Sequence, residues 1–214
     1  VMGPIAVCVE APYMAIVTPR FEQGSLADAL TLSISSVTTQ RVRDVCVSIL
    51  SGLAALHAAS GRGHGALRPS NIMLEGRGLG EAASRRLAVT LVDFGLEAVR
   101  TNLGTVTQVP VVRYMSPEAL RGVAGSQQGD IFVAGTIIYE LVTGFPAFGD
   151  ESSSLEAAMD IVDGKRPVLD EHLVFSESLR SLIQRCWLEN AQLRPSADEL
   201  LSELSKLAVG DFIG

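Results

Sequence analysis

Cysteine is scarce: the 214 residues carry only Cys8, Cys46 and Cys186, far apart and each within an apolar pattern. An odd, scattered set excludes a disulfide framework and has no metal-ligand spacing, so the expectation is reduced core thiols in an intracellular, cytoplasmic setting. Excess positive charge is absent too. A net charge of -7 argues against nucleic acid or an anionic membrane surface as the main partner. The start lacks the basic region and uninterrupted apolar run of a signal peptide. Long apolar runs are missing as well: the most apolar segment, "IFVAGTIIYELV" from Ile131, is about a dozen residues and carries Glu140, where a membrane span needs about 20. No membrane span is expected in this piece. The first residue is Val1, and the expectation is a piece of a longer polypeptide whose parent could be membrane-anchored.

What is present is the composition of a folded domain. Hydrophobic residues are 47% and charged ones 19%, and the chain is long enough to bury one sizeable core. Residues 7–10 and 13–18 read as two short strands joined by a turn at Ala11-Pro12. Ser25 reads as the cap of a brief helix, "LADAL". From Thr39 to Ala59, Val42, Val45, Ile49, Leu53 and Leu56 recur at three- and four-residue steps, which predicts a long amphipathic helix. Residues 71–74 and 88–92 read as a strand pair around a Gly- and Arg-rich surface loop. About twenty residues after Asp93 lack sustained periodicity, and a loop that long inside a compact domain is usually functional. Beyond it the chain reads as helical. The Ile131 segment, apolar almost all round, should be the central core helix. Ser154 is expected to cap "LEAAMDIV", Glu177 to Trp187 forms another helix, and Ser196 with Glu199 makes a capping box for the last.

Several stretches then fall into one order. "HGALRPSN" from His64 resembles the catalytic loop H-R-D-L-x-x-x-N, and "VDFG" from Val92 matches the D-F-G element. "VVRYMSPEAL" resembles the segment ending in A-P-E, with Ser116 in place of the alanine. "GDIFVAGTIIYELVTGFPAF" is similar to the central helix with its leading aspartate, and "RCWLENAQLRPSADELL" to the closing helices. Upstream, "YMAIVTPRFEQGSLADAL" resembles the fifth strand, the hinge and the first large-lobe helix. With these landmarks in register over nearly all its length, the chain resembles the protein kinase superfamily, of the tyrosine-kinase-like and receptor-type kind. The resemblance implies an α+β, predominantly α-helical fold: a kinase-like large lobe over 25–214, a hinge over 19–24, and a remnant of the small-lobe strands over 1–18.

It also implies roles. His64 packs behind Phe94 of the D-F-G element, which Gly95 completes. Glu118 and Arg194 form an architectural ion pair, and Asp130 accepts backbone N–H groups of the catalytic loop. Asn71 and Asp93 hold the metal ions that bridge the ATP phosphates. The Pro19 carbonyl and Phe21 N–H of the hinge hold adenine, with Thr18 as gatekeeper. ATP and Mg²⁺ are therefore the implied cofactors, with a cofactor-free chain as the alternative.

The departures bear on function. Where the family has the aspartate that accepts the substrate hydroxyl proton, this chain has Ala66, and loss of a positioned base costs on the order of 10²–10⁴ in rate. Gly65 replaces the arginine that anchors a phosphorylated activation loop, so Thr101, Thr105 and Thr107 would lack that anchor. Arg68 replaces the lysine that steadies the transferred phosphate. Val111 replaces the threonine that would hydrogen-bond the missing aspartate, so both ends of one interaction have become apolar. The residues before the hinge contain one glycine and no lysine, hence neither a glycine-rich loop nor the V-A-I-K lysine. No catalytic residue is intact, and the expected function is that of a pseudokinase: a protein-binding, scaffolding or allosteric module. Two alternatives stay open, a weakly active Ser/Thr or Tyr kinase whose small lobe lies outside this chain, and an ATP-binding sensor. The strands at 7–18 are unfinished sheet edges, expected to be covered by a protein partner or by the remainder of a longer chain. Further contact surfaces are expected on the loop at 96–115 and the helices at 154–163 and 178–187.

Overall fold

The computed structural model of the chain describes residues 5–10, 13–32, 38–75, 88–94, 112–123, 125–148, 153–169 and 175–212. Strands β1 (Ala6–Glu10) and β2 (Tyr13–Val17) form an antiparallel hairpin in which Cys8 faces Ala15. Helices α1 (Leu26–Leu32) and α2 (Thr39–Ser60) follow. A second antiparallel pair, β3 (Ile72–Glu75) and β4 (Ala88–Leu91), sets Ile72 opposite Leu91. The rest is helical: α3 (Pro117–Leu120), α4 (Gln127–Thr143), α5 (Ser154–Val162), α6 (Glu177–Cys186) and α7 (Ala197–Lys206). This is an α+β, predominantly α-helical fold, as the sequence implies.

The helices begin and end where backbone chemistry demands. Thr38 caps α2, and Gly61, at φ 65°, closes it by donating its N–H to the His57 carbonyl at 3.0 Å. A left-handed residue there is nearly free for glycine and costly for others. Ser126 and Gly144 do the same for α4. The cap of α5 is Ser153, not Ser154. A capping box needs its glutamate three residues beyond the cap, and Glu156 stands in that relation to Ser153, reaching back to its N–H at 2.9 Å. Counting from Ser154 would leave Ala157 there, which has nothing to return. Ser196 and Glu199 cap α7 reciprocally, as the spacing predicts.

Burial on α4 runs without a break from Asp130 to Leu141, because α2, α3 and α6 pack around it. Its apolar circumference is thus explained by position. α2 lies against α4, β4 and α7, burying Val42, Val45, Cys46, Ile49, Leu50 and Leu53. By length and composition α2 is also the one helix among the described residues long and apolar enough to cross a membrane. Here it is a core helix, and it buries Arg41, Asp44 and His57 along with its apolar stripe.

Helices α4 and α6 approach closely at Gly135. A Cβ built on Gly135 would lie 2.4 Å from the Cys186 Cβ, and Trp187 donates its indole N–H to the Thr136 hydroxyl at 3.2 Å. Gly135→Ala should therefore force the helices apart and cost about 1–3 kcal/mol, an overpacking penalty. Urea unfolding of the variant reads it directly. Unchanged stability would mean that the crossing is looser than these distances.

Candidate functional site

The candidate site forms where the 61–71 loop meets the end of β4. Its backbone is held from below by one buried carboxylate. Asp130, 3% exposed at the start of α4, accepts the His64 N–H at 2.5 Å on Oδ2 and the Gly65 N–H at 3.1 Å on Oδ1. The same Oδ2 lies 2.7 Å from the His57 Nε2. The neighbouring turn closes the other side, with the Gly63 N–H donating to the Gly125 carbonyl at 3.0 Å. The packing there is backbone on backbone, since a Cβ on Gly63 would sit 2.4 Å from the Ser126 carbonyl oxygen.

Residue 66 is pinned at both of its peptide groups. Its N–H reaches the His64 Nδ1 at 3.3 Å, and its carbonyl accepts from the Asn71 Nδ2 at 2.7 Å. Position 66 is therefore fixed whatever side chain it carries, and it carries a methyl group. Gly65 has φ 77°, and an added Cβ would press on the Gly125 Cα at 3.2 Å. The backbone at 65 is thus of the kind that favours glycine.

His64 is fully buried and meets Phe94 edge-on, with ring centroids 6.5 Å apart. Since Nδ1 accepts the Ala66 N–H, the ring proton belongs on Nε2. Nε2 finds no hydrogen-bond partner among the described residues. Burial pushes the His64 pKa down, and the charges of Asp130 and Asp93 with the nearby Val92 carbonyl pull it only partly back. Burial thus favours the neutral ring, which packs against Phe94. Phe94 itself remains 39% exposed.

Asn71 is 3% exposed and bridges the loop to β4. Besides its side-chain bond to Ala66, its carbonyl accepts the Val92 N–H at 3.0 Å. That bond joins Asn71 to the residue that precedes Asp93 in the chain. Asp93 has φ 65°, a left-handed conformation that aspartate tolerates better than most side chains. An amide oxygen and a carboxylate are hard donors that suit Mg²⁺, which keeps several waters and shares its shell with substrate phosphates. Among the described residues no cluster of three or more His, Cys, Asp or Glu could cage a metal alone. The donor set therefore fits a metal held jointly with a phosphate ligand. At the hinge, the Phe21 carbonyl accepts the Gly24 N–H at 3.2 Å, while the Pro19 carbonyl and Phe21 N–H enter no backbone hydrogen bond among the described residues.

Glu118 and Arg194 meet away from the loop, at 2.7 and 3.0 Å, in a two-pronged pair. Arg194 also donates to the carbonyls of Gln128 and Leu188, both at 2.8 Å, and stacks over Phe132 at 5.1 Å. Burial alone would raise the Glu118 pKa, but the hydrogen bonds and charge of Arg194 hold it below the ordinary range. Gly95, Val111, Thr101, Thr105 and Thr107 lie outside the described residues. Two residues the motif reading passed over belong here. His57 joins the Asp130 cluster across 73 positions, with no spacing signal to reveal it. Glu140, read from sequence only as a charge in an apolar run, is buried against Tyr114.

Comparison with known proteins accords with this geometry. A model of the protein kinase domain matches residues 2–204. The chain is 32% identical over 207 residues to a probable serine/threonine-protein kinase, PkwA, of Thermomonospora curvata, covering 94% of this chain and 25% of that protein. It is 31% identical over 196 residues to mitogen-activated protein kinase kinase 1 of Arabidopsis thaliana, covering 88% of this chain and 52% of the relative. With the dual specificity protein kinase pyk3 of Dictyostelium discoideum it shares 27% identity over 200 residues, 94% of this chain and 14% of the relative. The chain thus spans about half or less of each of these relatives. It belongs to the protein kinase domain family.

Proposed function

We propose that this lobe is a pseudokinase, a kinase domain without effective phosphoryl transfer that serves as a protein-binding, scaffolding or allosteric module. The observation that carries the reading is residue 66. Its backbone is held at both ends by His64 and Asn71, while its side chain offers no group to accept or orient a proton. Phosphoryl transfer relies mainly on positioning and electrostatics, so a residual rate is compatible with this loss. The β1–β2 hairpin supports the binding part of the proposal. Two strands alone are marginal in water, Ile5 and Val17 are 67% and 48% exposed, and neither strand has a third partner among the described residues. A protein partner or the remainder of a longer chain would complete that sheet, in an intracellular setting.

A nucleotide-sensing reading is favoured by a specific observation: the Asn71 carbonyl pairs with the N–H of Val92, the residue before Asp93, and the Pro19 carbonyl and Phe21 N–H enter no backbone hydrogen bond among the described residues. ATP with Mg²⁺, if held there, would supply a phosphate-bridging cation and a transferable phosphoryl group. This chain's own part would be to orient the cation through Asn71 and Asp93 and the base through Pro19 and Phe21. Thermal unfolding with and without Mg²⁺-ATP, on wild type and Asp93→Ala, separates the readings. A ligand at about 100 times its Kd adds roughly 2.7 kcal/mol. A metal-dependent shift lost in Asp93→Ala supports sensing and calls for a transfer assay. No shift at millimolar ATP leaves a binding module.

A further inference from the structure

Helix α5 is clamped on one side and bare on the other. Its inner side buries Ala157 and Ile161. Two arginines grip its last turn: Arg121 donates to the Val162 carbonyl at 2.9 Å and Arg166 to the Ile161 carbonyl at 3.0 Å. Cations on those carbonyls suit the helix dipole, and both arginines also pair with Glu189, at 3.0 and 2.7 Å. At the other end the capping box of Ser153 and Glu156 fixes the entry. The outer side carries Leu155 and Met159, 69% and 54% exposed, four residues apart and so neighbours on one row. A lone exposed leucine needs no explanation. Two adjoining large apolar side chains, on a helix tied at both ends, make a preorganised ridge.

The charge around that ridge has one sign. Between Asp150 and Asp163 the chain carries Asp150, Glu151, Glu156, Asp160 and Asp163, and neither lysine nor arginine. Asp163, the residue that ends the helix, continues the row of Leu155 and Met159, and Glu156 with Asp160 forms the row beside it. Lys165 pairs with Asp160 at 2.6 Å, an exposed contact of little strength that a competing cation can displace. Such a surface repels a nucleic-acid backbone or an anionic membrane and attracts a cationic partner. We propose that the outer face of α5 is a docking ridge for a basic amphipathic helix of a protein partner. The partner's apolar stripe covers Leu155 and Met159, and its lysines or arginines meet Asp160 and Asp163. A helix fits because the side of α5 offers no backbone groups, so the partner must satisfy its own. Apolar contact supplies affinity there, and charge supplies partner choice and association rate. The inference names a partner class for the binding-module reading and rests on it.

Fluorescence anisotropy tests the ridge with labelled helical peptides that share one leucine stripe and differ only at the flanking positions, which carry lysine, serine or glutamate. The chain should bind the lysine peptide about tenfold tighter than the serine one and leave the glutamate one unbound, and the lysine affinity should fall as salt rises. Leu155→Ser with Met159→Ser should weaken the lysine peptide by about tenfold or more, the scale of losing an interface anchor. Asp160→Asn with Asp163→Asn should bring the three peptides toward one affinity. None of these four side chains belongs to the core, so both double variants should keep the wild-type unfolding midpoint. No binding of the lysine peptide, or equal binding by wild type and the Leu155→Ser, Met159→Ser variant, overturns the ridge. Dimerisation of the chain that this variant abolishes overturns it too, by giving the face to a second copy. Efficient phosphoryl transfer in a kinase assay would overturn the pseudokinase reading and leave these affinities as they are. Loss of the ridge alone would leave the β1–β2 hairpin as the binding surface.

Discussion

Arg194→Ala is expected to lower the unfolding free energy by about 3 kcal/mol, the lower end of what breaking a buried ion pair costs. The Arg194 side chain is fully buried, whereas Glu118 keeps 18% of its side chain exposed and so recovers some solvation when its partner goes. Removal also strands the Gln128 and Leu188 carbonyls and takes a cation off the Phe132 ring, which Arg166 also covers at 5.0 Å. Arg194→Lys should recover only part of the loss, because a point charge cannot serve Glu118 and two carbonyls in one plane. A pH signature accompanies it. Glu118 is held below its ordinary pKa, so its contribution is present above the unfolded value, near 4.5, and is lost as pH falls through the folded one. Urea unfolding from pH 7 to pH 3 should show that acid slope in wild type and a shallower one in Arg194→Ala. A loss well under 1 kcal/mol would mean that the pair is solvated and only architectural in appearance.

Asp130→Ala should cost about as much, roughly 3 kcal/mol, and by a different route. It orphans the buried N–H of His64, worth about 1–3 kcal/mol when left unsatisfied, and the half-buried N–H of Gly65, and frees the His57 ring. The loss should be local as well as global: exchange of the 64–66 amides should rise toward the rate of the loop tips, while the α4–α6 contact keeps its protection. Asp130→Asn, with one acceptor oxygen and an amide that donates toward other donors, should fall between. If the 64–66 amides stay protected in Asp130→Ala, then Asn71 and Gly125 suffice to hold the loop, and Asp130 serves α4 rather than the site.

Much of this was legible from residue order. Capping follows local rules, so Ser196 with Glu199 marks a helix start from sequence alone; Ser154 misled because three serines in a row compete and only the glutamate three residues on decides between them. The three-and-four spacing from Val42 to Leu56 specifies a helix because one face must be buried, and α2 buries it. Ala66, Gly65 and Arg68 were readable as departures because a motif fixes each position relative to its neighbours.

Other features have no local signal. Nothing near His57 says that it will meet Asp130, and nothing near Tyr114 says that it will meet Glu140. Gly135 looks like a weak point in a helix until Cys186 is seen pressed against it. By itself the sequence determined most of the elements and the family resemblance at each motif, because these depend on backbone hydrogen bonds and side chains within a few residues. Only the tertiary structure decided which buried charges are paired, how residue 66 is held and which glycines are contacts. Those are properties of groups brought together from distant parts of the chain, and the cost of leaving a buried polar group unpaired is what selects them.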